Sequence, residues 1–184
     1  MVEKLKTEYK VVIEWRPFYL RPDTPPEGME LPDYIQQARA NGSEERLSQM
    51  AGACGMNFVS TKRIYNTRLA HEATEYAREH GKGNEFHRVV FRKVYADGLD
   101  ISQWSVLRSA AEEVNLNADE MQSDVESGKY TANVAEQVQQ AYQIGVSGVP
   151  TYVINDRYAI VGAQPYEAFR NALLHIMKDS DVAL

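Results

Sequence analysis

Few residues in this chain have side chains that could do chemistry, and their spacing narrows the choice. The single cysteine, Cys54, lies in Met50-Ala-Gly-Ala-Cys-Gly-Met56. A lone thiol can be a redox group, or it can pack as a small buried hydrophobe. The small neighbours Ala51, Gly52, Ala53 and Gly55 fit close packing or a turn. The histidines His71, His80, His87 and His175 make no metal-ligand pattern, and structural roles are expected of them. His71-Glu72-x-x-Glu75 lacks the second histidine that a zinc-protease motif needs. Gly81-Lys-Gly-Asn84 is too short for a phosphate loop and follows a helical pattern, so it reads as a turn between helices. The acidic pairs Glu44-Glu45 and Glu112-Glu113 read as solvated helix faces. That leaves Val149-Pro150, just ahead of a β-rich run. By spacing alone it is a trans proline opening an edge strand.

The elements that must position these residues follow from periodicity. Residues 9–15, Tyr-Lys-Val-Val-Ile-Glu-Trp, carry apolar groups on consecutive positions, which predicts a strand buried on both faces. Pro17 stops it, and Pro22, Pro25, Pro26 and Gly28 shape an extended loop. From about Leu31 to Gly145 the period is helical. Ser43 is placed to cap one helix, with Glu44 and Glu45 in its first turn. A longer helix runs from about Ile64 to His80 and stops at Gly81. Asn84 and Ser102 are placed to open the next two, and Asn117-Ala-Asp-Glu120 is a capping-box pattern with Asn at the cap. Val134, Val138, Ala141 and Tyr142 make one stripe on the helix after that. After Gly145 the period changes. Thr151–Ile154 and Tyr158–Val161 read as a hairpin turning through Asn155-Asp156. Pro165 then opens a last helix with Phe169, Ala172, Leu173, Ile176 and Met177 on one stripe. A buried-type strand so far from the hairpin implies that the helices between are an insertion.

Composition sets outer bounds. The chain has 184 residues, 43% hydrophobic and 25% charged, which suits one globular domain with an inserted lobe. A net charge of -6 with no dense run of Lys and Arg argues against nucleic-acid binding. One cysteine rules out an internal disulfide and fits a reducing compartment. The N-terminal stretch MVEKLKTEYK has no apolar core, so it does not read as a signal peptide, and no stretch is long and apolar enough for a membrane span. The expectation is a soluble, cytoplasmic protein with no membrane partner, unless an upstream segment is missing.

Several segments together resemble the DsbA-like family of thiol–disulfide oxidoreductases, in its FrnE-like branch. They are Gly145-Val-Ser-Gly-Val-Pro-Thr-Tyr-Val-Ile154, Tyr158-Ala-Ile-Val-Gly-Ala-Gln-Pro165, the stretch Trp15 to Gly28, and Asn66-Thr-Arg-Leu-Ala-His71. The resemblance runs from about residue 2 to residue 178. It implies an α/β, thioredoxin-like fold with a large inserted helical domain. Residues 1–28 and 146–184 would make an incomplete thioredoxin-like domain, and 29–145 the insertion. It also implies that the bond at Val149-Pro150 is cis and that these two residues hold an extended substrate backbone. Phe18 and Tyr152 are candidates for the surrounding apolar face, with core packing as the other role open to each.

The resemblance also sharpens an absence. The family opens with a strand followed by Cys-x-x-Cys at a helix start, where the helix terminus lowers the first thiol's pKa. This chain starts at Met1-Val-Glu-Lys-Leu-Lys, which is similar to the end of that helix. The first strand and both cysteines, roughly 20–30 residues by ordinary element lengths, are expected to be missing. No catalytic residue can therefore be assigned, and Cys54 matches no family cysteine. In such folds the first strand lies between the second strand and the proline strand, so both neighbours would lose a partner. A truncated or mis-started reading frame is the simplest account. Otherwise a segment swapped within a homodimer, or a partner protein, would fill the gap. Three functions follow from the resemblance. The first is a protein disulfide oxidoreductase acting on a protein or peptide disulfide, inactive as this chain and needing no cofactor. The second is a glutathione-dependent isomerase of the 2-hydroxychromene-2-carboxylate kind, which needs no cysteine pair. The third is a redox-dead peptide-binding module.

Overall fold

The computed structural model describes residues 2–53 and 55–179, so Cys54 lies outside the described residues. Helix α1, Val2–Glu8, sets Leu5 inward. The stretch after it corrects an expectation. Residues 10–19 form no regular element. Their side chains do alternate: Val11, Ile13 and Trp15 are partly covered, while Val12, Glu14 and Arg16 are exposed, Val12 at 99%. The sequence is therefore strand-like on one face rather than buried on two. A strand also needs a neighbouring backbone to pair with, and none of the described strands lies beside this one.

Two short strands that sequence periodicity did not reveal come next. Strand β1, Met29–Glu30, pairs antiparallel with β2, Arg63–Ile64. Gly28 sits just before β1 at φ +76°, where a Cβ would lie 2.6 Å from the Ile64 carbonyl oxygen, so only glycine fits. Between these strands run α2, Asp33–Ala40, and α3, Ser43–Ala53, which pack on each other and bury no residue completely.

Helix α4, Arg68–Glu79, starts four residues later than Ile64, because Ile64 is taken up by β2. It is followed by α5, Gly83–Tyr95, α6, Trp104–Glu113, α7, Ala118–Glu126, and α8, Thr131–Gln143. Three expected caps move: Ser43 is the first residue inside α3 rather than the one before it. Lys82 rather than Asn84 precedes α5, and Gln103 rather than Ser102 precedes α6. The Ser102 hydroxyl instead donates to Asp100 at 2.6 Å. Asn117 does cap α7, its side-chain oxygen accepting from the amides of Asp119 and Glu120.

The main core lies among α4–α7, with Ala73, Tyr76, Phe86, Leu107, Ala110 and Met121 fully buried. The period-3.6 stripes explain it: each helix turns one apolar face to the same centre. The hairpin β3, Thr151–Ile154, and β4, Tyr158–Val161, carries a second, smaller core with α1 and the last helix α9, Tyr166–Asp179. Leu5, Phe169 and Leu173 are its buried members, with Tyr9, Val11, Tyr152 and Ile160 packed against them. Asn155 and Asp156 turn the hairpin at φ 51° each, a left-handed geometry that Asn and Asp tolerate. Among the described residues, no helix is long and apolar enough to cross a membrane.

Candidate functional site

The chain reaches the hairpin from the end of α8 through Gly145, at φ +84°. The Val149–Pro150 peptide bond is cis. The Thr151 hydroxyl donates to the Gly148 carbonyl at 2.7 Å, and the Gly162 amide donates to the Pro150 carbonyl at 2.8 Å. The loop is thus tied at its base and across to the end of β4. Val149 is left half exposed at 50%. Strand β3 pairs with β4 on one side, and no described strand pairs with its other side. The amides and carbonyls of that edge are a template for an added strand.

Tyr152 points away from this loop into the small core, edge-on to Phe169 at 4.6 Å. Burial pushes its phenol pKa upwards. Phe18 packs against Tyr142 at 5.2 Å, and the Tyr142 hydroxyl donates to the Tyr19 carbonyl at 3.0 Å. Of the two aromatics considered for the site, Tyr152 is a core residue and Phe18 joins the segment after residue 13 to α8.

That segment is the feature the sequence did not show. Trp15 stacks on His87 of α5 at 4.1 Å, and His87 stacks in turn on Phe91 at 4.3 Å. Tyr19 meets His71 of α4 edge-on at 5.2 Å. His71 Nε2 is buried with no hydrogen-bond partner. Burial pushes both imidazoles down to about 4, with the charge of His87 adding to the effect on His71 and that of Arg78 to the effect on His87. His87 and Phe91 lie four apart on one helix face, a spacing that signals a ring pair. That Trp15 would cover them depends on packing across the chain. His80 Nδ1 lies 2.9 Å from the Tyr76 carbonyl at the end of α4. Among the described residues, no group of three or more His, Cys, Asp or Glu is arranged to hold a metal ion.

The family model of the DSBA-like thioredoxin domain matches residues 1–174. The chain belongs to the DsbA-like thioredoxin-domain family. Among curated proteins, this DsbA-like chain is 29% identical over 164 residues to the uncharacterized protein YwbO of Bacillus subtilis, covering 89% of this chain and 81% of the relative. It is 31% identical over 85 residues to the 2-hydroxychromene-2-carboxylate isomerase of Sphingobium xenophagum, covering 46% of this chain and 44% of the isomerase. Among solved structures, a probable DsbA oxidoreductase from Streptomyces coelicolor matches 92% of this chain and 76% of its own, with a TM-score of 0.82 at 24% identity. A 2-hydroxychromene-2-carboxylate isomerase matches all of this chain and 90% of its own, with a TM-score of 0.79 at 18% identity. The DsbA-like fold is thioredoxin-like, largely helical with small sheets, and consistent with an α/β domain carrying a helical insertion.

Proposed function

We propose that this chain is the substrate-holding part of a thiol–disulfide exchange protein, and that it receives an extended protein or peptide segment bearing a disulfide. The observation that carries this reading is the half-exposed Val149, in a loop tied between Gly148 and Thr151 and across to Gly162. An extended peptide laid against the Val149 backbone gains main-chain hydrogen bonds, and its side chains meet the exposed apolar surface. Val153 of β3, 44% exposed, extends that surface. In thiol–disulfide exchange, a thiolate attacks one sulfur of the substrate disulfide and displaces the other as a thiolate. The mixed disulfide so formed is resolved by a second thiol. The chain contains one cysteine, so a second thiol must come from outside these 184 residues for that cycle to close.

The test has two parts. In an insulin-reduction assay the chain is expected to give no turnover above the added reductant. Binding of an extended peptide is expected to weaken at least tenfold in Val149→Asp, with an unchanged melting temperature. Turnover that survives Cys54→Ser, or peptide affinity indifferent to Val149→Asp, defeats the proposal.

A second reading is a glutathione-dependent isomerase. It is supported by the 31% identity to the isomerase over 85 residues and by the presence of only one cysteine. Glutathione, itself a short thiol peptide, would supply the thiol there. Saturable glutathione binding by a chain with no affinity for longer peptides decides for this reading.

A further inference from the structure

Residues 14–19 form no regular element, yet they are fastened to three helices. Arg78 of α4 donates to the Trp15 carbonyl and to the Glu14 carboxylate. Arg16 donates to Gln137 of α8 at 3.2 Å and to Glu14 at 3.0 Å. Phe18 and the Tyr19 carbonyl are held by Tyr142. The remaining two fastenings are imidazoles: His87 under Trp15, and His71 against Tyr19.

Both places suit a neutral ring. His87 has an aromatic face on either side, Trp15 and Phe91. His71 Nε2 is buried without a partner, so a charged ring there would bury an unsatisfied donor. The charged groups around them are already engaged. On α4, Glu72 accepts from Arg68 at 2.9 Å and from Thr131 at 3.0 Å, and Glu75 lies 3.4 Å from Arg78. On the segment itself, Glu14 is shared between Arg16 and Arg78. On α5, Arg88 follows His87 and has interactions of its own. A cation at His87 gains a modest attraction to the Trp15 ring. It loses hydration and faces Arg78, and a second cation at His71 adds mutual repulsion.

We propose that Glu14–Tyr19 is a strap that protonation of His71 and His87 releases from α4 and α5. Both rings are held below their ordinary value of 6.5, so the strap is fully seated above that pH and loosens as the pH falls towards about 4. The strap continues from Tyr9 and Val11, which pack against the small core, so its release frees the segment that runs from that core to α4 and α5.

The test uses the full chain with Trp104→Phe, which leaves Trp15 as the sole tryptophan. Acrylamide quenching of Trp15 is followed with far-UV circular dichroism from neutral pH to about pH 4, and histidine ring protons are titrated by NMR. Quenching is expected to rise severalfold below the ordinary histidine value of 6.5 while helical signal persists. The rise should track the two ring titrations and vanish in His71→Phe/His87→Phe. The proposal fails if Trp15 stays shielded across the range, or if the rise is the same in the double variant. Trp15 exposure that coincides with loss of helix also overturns it. Should the double variant not fold, the NMR titration still decides: rings titrating near 6.5 with Trp15 shielded refute the strap.

Discussion

Lys93 is the clearest case of a buried cation that depends on its partners. Its side chain sits in the helical module at 5% exposure, and its ammonium donates to Ser109 Oγ at 3.1 Å and to Glu113. Glu113 also takes Arg92, and hydrogen bonds from Lys93 and Arg92 hold its carboxyl below the usual range. Removing the carboxylate strands a buried cation, which costs far more than losing a surface pair. Glu113→Ala is expected to lower stability by about 3 kcal/mol, the low end for a broken buried pair because Glu113 is partly exposed. Lys93→Met added to it should restore most of that loss, read from urea unfolding midpoints. A cost within the range of an ordinary surface substitution would show that Lys93 is satisfied without Glu113. Because the Glu113 pKa is lowered, its contribution is fully present above its ordinary value of 4.5 and falls away as the pH drops below it. In the sequence Glu112-Glu113 reads as a solvated face, since nothing local to those residues announces a lysine on another helix.

At the scale of elements, local signals were readable and non-local ones were not. The Asn117 cap is complete in four residues of sequence, and the structure places its side chain on both the Asp119 and Glu120 amides. Asn117→Ala should cost about 1 kcal/mol, and Asn117→Asp only a few tenths, measured as shifts in the thermal midpoint. Equal melting of all three proteins would mean that solvent satisfies those amides as well. The stripe of α9 and the Asn155-Asp156 turn were legible for the same reason: each depends on residues within a turn or two. The strand expected at 9–15 failed because β-propensity states what a segment suits, while a ladder needs a partner from elsewhere in the chain. The β1–β2 pair went unseen because two-residue strands carry no period at all. The site divides in the same way. Val149-Pro150 was marked by a resemblance spanning its loop and hairpin. The Trp15–His87–Phe91 stack joins residues 72 apart in sequence at its first contact, and only packing brings them together.

On the scale of the molecule, two cores of unequal size divide the chain. The larger draws its buried members from Ala70 to Tyr130, a continuous run of helices whose contacts are mostly between sequence neighbours. The smaller joins Leu5 to Phe169 and Leu173 across nearly the whole length, with few fully buried side chains. Burial per residue and the closure of a long loop both favour the first. One edge of β3 also offers amides that no described strand protects. Opening free energies should therefore fall into two classes. Native-state hydrogen exchange on the full chain is expected to show α4–α7 amides exchanging slowest, through global unfolding. Those of β3, β4 and α9 should exchange earlier, as one smaller unit. An extended peptide held beside Val149 should raise protection in both classes by the same amount and leave the gap between them unchanged, because opening of the smaller unit and global unfolding both release it. Uniform protection across both cores would mean that the strap and α8 couple them into one cooperative unit, and the division argued from packing would be wrong. Protection left unchanged by the peptide in both classes would show that nothing is held beside Val149.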